Sequence, residues 1–157
     1  MKPIKPEMAI IKFITDQTCA TVCCVDENTD PYCFNCYYAF DAENCLLYFK
    51  SSVNSFHWKM LRENDSVAGT ILPDKLSKLH VMGVQFKGIV LDKDDDFANK
   101  AFATYHKKMP FALAMQGEVI TIEITDIKMT DNKLGFGKKL LWKREVVLHK
   151  HVNLKVF

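Results

Sequence analysis

No apolar run in this 157-residue sequence reaches the roughly 20 residues that a membrane-spanning helix needs, because charged or polar residues break every stretch. Charge of one sign is also missing. Twenty-one Lys and Arg face nineteen Asp and Glu, a net +2 that is too small to argue for nucleic acid or a membrane surface. The opening MKPIKPEMAII is not an export signal, since its apolar run is short and ends at Lys12. These absences predict a cytoplasmic protein with no nucleic-acid and no membrane partner. No GxSxG, HExxH or P-loop is present, so no catalytic residue is named by motif. Internal repeats, low-complexity tracts and linkers are absent too. Residues 1–157 are therefore read as one domain, long enough to bury a core.

The six cysteines are Cys19, Cys23, Cys24, Cys33, Cys36 and Cys45. Without an export signal they are expected as free thiols. Cys33-Phe34-Asn35-Cys36 is formally a CxxC pair, which elsewhere means zinc or redox chemistry. Here it lies in PYCFNCYYAF, a strand pattern, and residues three apart on a strand point to opposite faces. Structural thiols are preferred over zinc, and no metal site is assigned. His149-x-His151 would share a strand face, but a basic exposed tail is the simpler account.

The periodicity predicts a helix over Pro6 to Asp16, with Ile10, Ile11, Phe13 and Ile14 as its apolar stripe. Strands follow at Thr18–Val25, Tyr32–Phe40 and Cys45–Phe49, joined by the turn clusters at 26–31 and 41–44. Lys50-Ser51-Ser52 breaks the third strand. A helix then runs from Asn54 to about Asn64, capped by Asn54 or Ser55. Ser66–Leu72 and His80–Leu91 are read as strands, with Gly88 marking a bulge or bend. A helix from Asp96 to Lys108, a short one over Phe111–Met115, and a strand over Glu118–Thr125 complete the reading; Ile127–Thr130 extends that strand after a kink. Val146 to Phe157 is expected to be an edge strand or an arm. Short strands with turn signals and three inserted helices predict an α+β protein built on a closed antiparallel barrel of six or seven strands.

Two corners hold the remaining chemistry. One is Lys50, Ser51, Ser52, Ser55 and His57, where a strand ends and a helix begins; hydroxyls, free N–H groups and a positive dipole end suit an anion. An ordinary capped helix after a surface turn is the simpler alternative. The other corner is Gly137 to Trp142. A flat aromatic ligand carrying phosphate would use both.

The order of elements resembles that of the pyridoxamine 5'-phosphate oxidase-like flavoproteins, the FMN-binding split barrels. The resemblance spans Phe13 to about Glu145 and rests on TVCCVDENTDPYCFNCYYAFD, LLYFKSSVNSFHWKML, NDSVAGTIL and GVQFKGIVL in that order. GVQFKG and TDNKLGFGKKLLWKRE are similar, more narrowly, to the YhbP-like branch of small proteins. The resemblance implies a homodimer that binds FMN. It implies phosphate contacts from Ser51 and Ser55, and it aligns Phe56-His57 with an Arg-Lys pair of the oxidases. That removes a bidentate contact and a permanent charge. The hairpin strand, cationic in the oxidases, here offers Asn35 and Tyr37. Lys139 stands for an Arg that touches the flavin. Gly135 and Gly137 replace substrate-gripping residues, so pyridoxamine phosphate oxidation is not expected. Two functions follow: a flavin-dependent oxidoreductase of unspecified substrate, or a non-enzymatic split barrel that binds or senses another small ligand.

Overall fold

The computed structural model describes residues 4–135 and 137–145. The tail at 146–157, expected as a strand or arm, and His149 and His151 within it lie outside the described residues, as does Phe136.

Seven antiparallel strands make one sheet: β1 (Cys19–Val25), β2 (Pro31–Asp41), β3 (Leu46–Ser51), β4 (Ser66–Ile71), β5 (Met82–Val90), β6 (Glu118–Asp131) and β7 (Lys139–Lys143). Their order is β3-β2-β1-β4-β5-β6-β7, and a further β3–β6 pairing closes the first six into a barrel. Helix α1 (Met8–Asp16) precedes β1. Helix α2 (Phe56–Glu63) joins β3 to β4, and α3 (Ala101–Lys108) lies between β5 and β6.

β6 carries the architecture. Ile120, Ile122 and Ile124 alternate into the core, and Ile127 and Met129 resume after a shift of one residue. The ladder with β5 slips at Lys87/Gly88, leaving Thr125 extra. Without that residue every later side chain would face the wrong side. Gly88 is required there, because a Cβ would lie 2.6 Å from Ile122 Cγ2 and 2.8 Å from the Glu123 carbonyl oxygen. The two sequence segments are thus one bulged strand. Its first half pairs with β3 and its second half with β7 on the same edge, so the sheet splits there.

The barrel interior is filled by residues such as Val22, Tyr38, Phe49, Ile71, Phe86 and Ile122, with Ile10, Phe13 and Ile14 of α1 packed in. A second cluster covers the outer side of β2 and β3: Tyr48 and Leu46 meet Ala101, Tyr105 and Met109 of α3.

Several boundaries move. Glu7 occupies the N-cap position of α1 without a side-chain hydrogen bond, so Pro6 precedes the helix. The predicted 96–108 helix divides into a 3-10 turn at Asp96–Ala98 and α3, and the short second helix is a 3-10 turn over Pro110–Ala114. β3 keeps Ser51, which belongs to the ladder opposite Glu118 instead of to the turn. Free thiols are expected throughout, but Cys23 and Cys33 stand directly opposite each other and are bonded. Sequence spacing cannot show this, since register decides it. No helix among the described residues is long and apolar enough to cross a membrane.

Candidate functional site

The first corner forms where β3 runs into α2. Ser55 caps α2, its hydroxyl accepting from the Trp58 N–H at 3.3 Å and donating to the Ser52 carbonyl at 2.8 Å. Such a cap stabilises a helix by about 1 kcal/mol. Ser51 Oγ lies 3.0 Å from Ser55 Oγ and 2.6 Å from His57 Nε2. The His57 ring stacks on Phe34 at a centroid distance of 3.8 Å. The corner is therefore a closed chain of two hydroxyls and an imidazole. Burial holds the His57 pKa below its usual 6.5.

A pH dependence follows. The folded state resists protonating His57, while the unfolded chain takes up a proton near pH 6.5. Stability from this group is therefore full above that value and falls as pH drops from it through the lower folded pKa. Thermal midpoints measured from pH 7.5 to 5 should decline, and His57→Gln should flatten that decline. An unchanged profile in the variant would exclude this role.

Not every predicted residue reaches the corner. Lys50 alternates to the opposite face of β3, where its Nζ donates to the Ala112 carbonyl at 2.8 Å and lies 3.1 Å from His106 Nε2. His106 Nδ1 lies 2.8 Å from the Phe102 carbonyl, so Nδ1 carries the hydrogen and Nε2 accepts from Lys50. Ser52 is exposed and gives its carbonyl to both serines. Phe56, at 61% exposure, packs edge-on against Tyr32. Asn35 and Tyr37 lie on the other face of β2 from Phe34, and Asn35 Oδ1 accepts from Thr21 Oγ1 at 2.7 Å. Trp142 turns into the barrel core and donates its indole N–H to the Ile4 carbonyl. Lys139 is exposed, with Nζ 3.0 Å from Thr130 Oγ1. Gly137 takes φ +76° in the turn before β7, while Gly135 takes φ +120°.

Register gathers a second site that sequence reading missed. One row across the outer face of the sheet runs Cys33, Cys23, Ala68, Lys87, Asp126, Lys143. The next runs Asn35, Thr21, Thr70, Gln85, Lys128, Leu141. The part over β4 to β7 is a groove of about 720 Å³, within the usual range for small-molecule clefts. Its outward-facing lining includes Ala68 and Leu141, the cations Lys87, Lys128 and Lys143, and one carboxylate, Asp126, whose Oδ1 lies 3.9 Å from Lys143 Nζ. The outward positions of alternating strands carried this signal, but without register the three lysines were unrelated surface charges.

Tested against a flavin or another flat cofactor, the two places differ. The groove offers Ala68 and Leu141 to a planar ring and Lys87 and Lys128 to acidic substituents, while Lys143 is paired with Asp126. The Ser51–Ser55–His57 corner gives hydroxyls and a helix N-terminus, yet Lys50 points away and Phe56 stands where a cation would help. Among the described residues, no group of three His, Cys, Asp or Glu is placed to hold a metal ion.

A closed six-stranded antiparallel barrel with an added edge strand defines a split-barrel protein, and solved structures share that fold. A heme binding protein from Mycobacterium smegmatis aligns with TM-score 0.73 at 14% identity, over 89% of this chain and 59% of that one. HutZ, the heme storage protein from Vibrio cholerae, aligns with TM-score 0.58 at 11% identity, over 90% and 96%. A FAD-binding protein from Mesorhizobium loti aligns with TM-score 0.63 at 16% identity, over 83% and 99%. No family model matches the chain. Sequence relatives are more specific. A UPF0306 protein of Photorhabdus laumondii is 33% identical over 135 residues, 86% of this chain and 94% of its own length. The YhbP protein of Escherichia coli O127:H6, also UPF0306, is 32% identical over 136 residues, 87% and 96%. The chain belongs to the UPF0306 family.

Proposed function

We propose that the protein is a homodimeric flavin-binding split barrel with FMN as cofactor, acting as an oxidoreductase whose substrate is not pyridoxamine phosphate. The observation that carries this reading is the groove of about 720 Å³ on the outer face of β4 to β7, lined by Lys87, Lys128 and Lys143. Leu141 and Ala68 would support a ring system, and Lys87, Lys128 and Lys143 would meet its acidic groups. Ser51 and Ser55 would face the phosphate. In the homodimer proposed here, the corner of one copy and the groove of the other would together hold the ligand. A bound flavin would supply the hydride chemistry, and this chain would bind and orient it. Gly135 and Gly137 present no side chain to grip a phosphorylated substrate.

One observation favours a second reading, a haem-binding or otherwise non-enzymatic barrel. The corner brings no cation to a phosphate, and haem carboxylates need only the lysine rim. Against it, no histidine lies among the described residues that line the groove. The described His57, His80 and His106 are already engaged by Ser51, Asp131 and Lys50.

The visible spectrum of the purified protein decides between the readings, followed by titration with FMN and with haemin. Flavin absorbance, with fluorescence quenching on FMN addition that is lost in Lys87→Glu/Lys128→Glu, is the expected result. A colourless protein that leaves FMN fluorescence unchanged would overturn the flavin reading. A Soret band only, on haemin addition, would install the second.

A further inference from the structure

The fold sorts the six cysteines into distinct kinds. Cys24, Cys36 and Cys45 turn inward. Burial pushes the Cys24 thiol up, and pushes those of Cys36 and Cys45 up to about 12, so these three stay protonated and inert. Cys19 is exposed but stands opposite Tyr37, with no thiol across the ladder. Cys23 and Cys33 are different. They are directly opposed on the outer face, with Cα atoms 4.2 Å apart and their sulfurs bonded. Cys33 is exposed, and Cys23 lines the groove beside Ala68.

We propose that Cys23 and Cys33 are a reversible dithiol–disulfide couple at the edge of the groove, exchanging with small-molecule thiols and disulfides. Three observations carry this. First, the β1–β2 ladder holds seven residue pairs in register, from Cys19↔Tyr37 to Val25↔Pro31. The bond is therefore not needed to keep the strands together, and the protein can cycle without unfolding. Second, the same ladder keeps the two sulfurs adjacent after reduction, so reclosure is intramolecular and fast. Third, an exposed sulfur is open to attack, and exposed disulfides are the labile ones. None of the three inward-facing thiols competes.

The exchange balances. A thiolate of a small dithiol attacks Cys33 Sγ, the S–S bond breaks, and Cys23 leaves as a thiolate that takes up a proton. The second thiolate of the reagent attacks its own sulfur in the mixed disulfide, releases Cys33 and closes to a cyclic disulfide. Two electrons and two protons have passed to the protein, and the dithiol is oxidised. A small disulfide runs the steps in reverse. The couple stands apart from the cofactor reading, since it needs neither flavin nor haem.

The test equilibrates native full-length protein with graded mixtures of reduced and oxidised dithiothreitol, quenches with acid, alkylates and maps peptides by mass spectrometry. Cys23 and Cys33 should pass together between alkylated and bonded forms, return when the mixture is reversed, and leave the far-UV circular dichroism unchanged. In Cys33→Ser, Cys23 should be alkylated at every ratio. A bond that survives full dithiol excess until the protein is denatured would overturn the proposal. So would two thiols that persist at full oxidant excess, or pairing of Cys33 with Cys19 or with a second chain. The wild-type titration stands by itself if the variant does not fold.

Discussion

Arg144→Ala should lower stability by about 3–5 kcal/mol, the largest loss expected from a single polar substitution among the described residues. For a domain of this size that is a fall of roughly 6–20 °C in the thermal midpoint. Arg144 follows β7, and its side chain returns into the junction where β3 and β7 share one edge of β6. Nε donates to the Ile124 carbonyl at 2.9 Å, and Nη2 donates to the Asn44 and Cys45 carbonyls at 2.8 and 3.2 Å. Its Nε also lies 3.4 Å from Glu123 Oε1, with both side chains at or below 1% exposure. One planar fork thus ties the end of β7 to the start of β3 and neutralises a buried carboxylate. Alanine would leave that carboxylate and three carbonyls without it. Lysine keeps the charge but not the fork, so Arg144→Lys should recover only part of the loss. Urea unfolding of Arg144→Ala, Glu123→Leu and the double variant measures the coupling. The double variant should be more stable than Arg144→Ala alone, since it also removes the buried carboxylate that Arg144 faces. A loss below about 1 kcal/mol in Arg144→Ala would show that the junction holds without its brace.

Phe56→Arg should tighten FMN binding by about tenfold or more, the gain of one charge-assisted contact of roughly 1.5–3 kcal/mol. Phe56 begins α2 immediately after the Ser55 cap, so its replacement adds a cation beside the two hydroxyls and the positive end of the helix. The side chain is largely exposed and packs edge-on against Tyr32, at 5.0 Å between ring centroids. The fold should therefore tolerate the change, at the cost of an aromatic contact of about 0.5–1.5 kcal/mol. Fluorescence titration with FMN and with riboflavin reads the effect. Tightening for FMN but not for riboflavin places the phosphate at this corner. Equal affinity in variant and wild type, with binding intact, would move the phosphate to the lysines of the groove and leave the corner as a helix cap.

Much of the fold was legible because its signals are local. Alternation in VITIEIT and the turn clusters at 26–31 and 41–44 place strands, and Ser55 before Phe56 marks a helix start, since caps and periodicity depend on neighbours in the chain. Gly88 marked the bulge because only glycine fits where two strands crowd. The 96–108 helix differs from its expected start because the Asp95 side chain accepts from the Phe97 N–H and sets a separate 3-10 turn before Ala101. Adjacency in sequence alone places Lys50 at the corner. Strand alternation sends it to His106 instead, one residue away in sequence and on the opposite side of the sheet from Ser51.

By itself the sequence determined an antiparallel barrel with inserted helices and the Ser51–Ser55–His57 corner. Residues within six positions of one another can be read without a partner strand. Only the tertiary structure decided what register decides. It joined Cys23 to Cys33, lined up Lys87, Asp126 and Lys143 across three strands, and sent Arg144 back to Glu123 and Cys45. Those pairings join residues ten to about a hundred positions apart. No local propensity encodes them, because the free energy that selects them comes from burying one face of every strand at once.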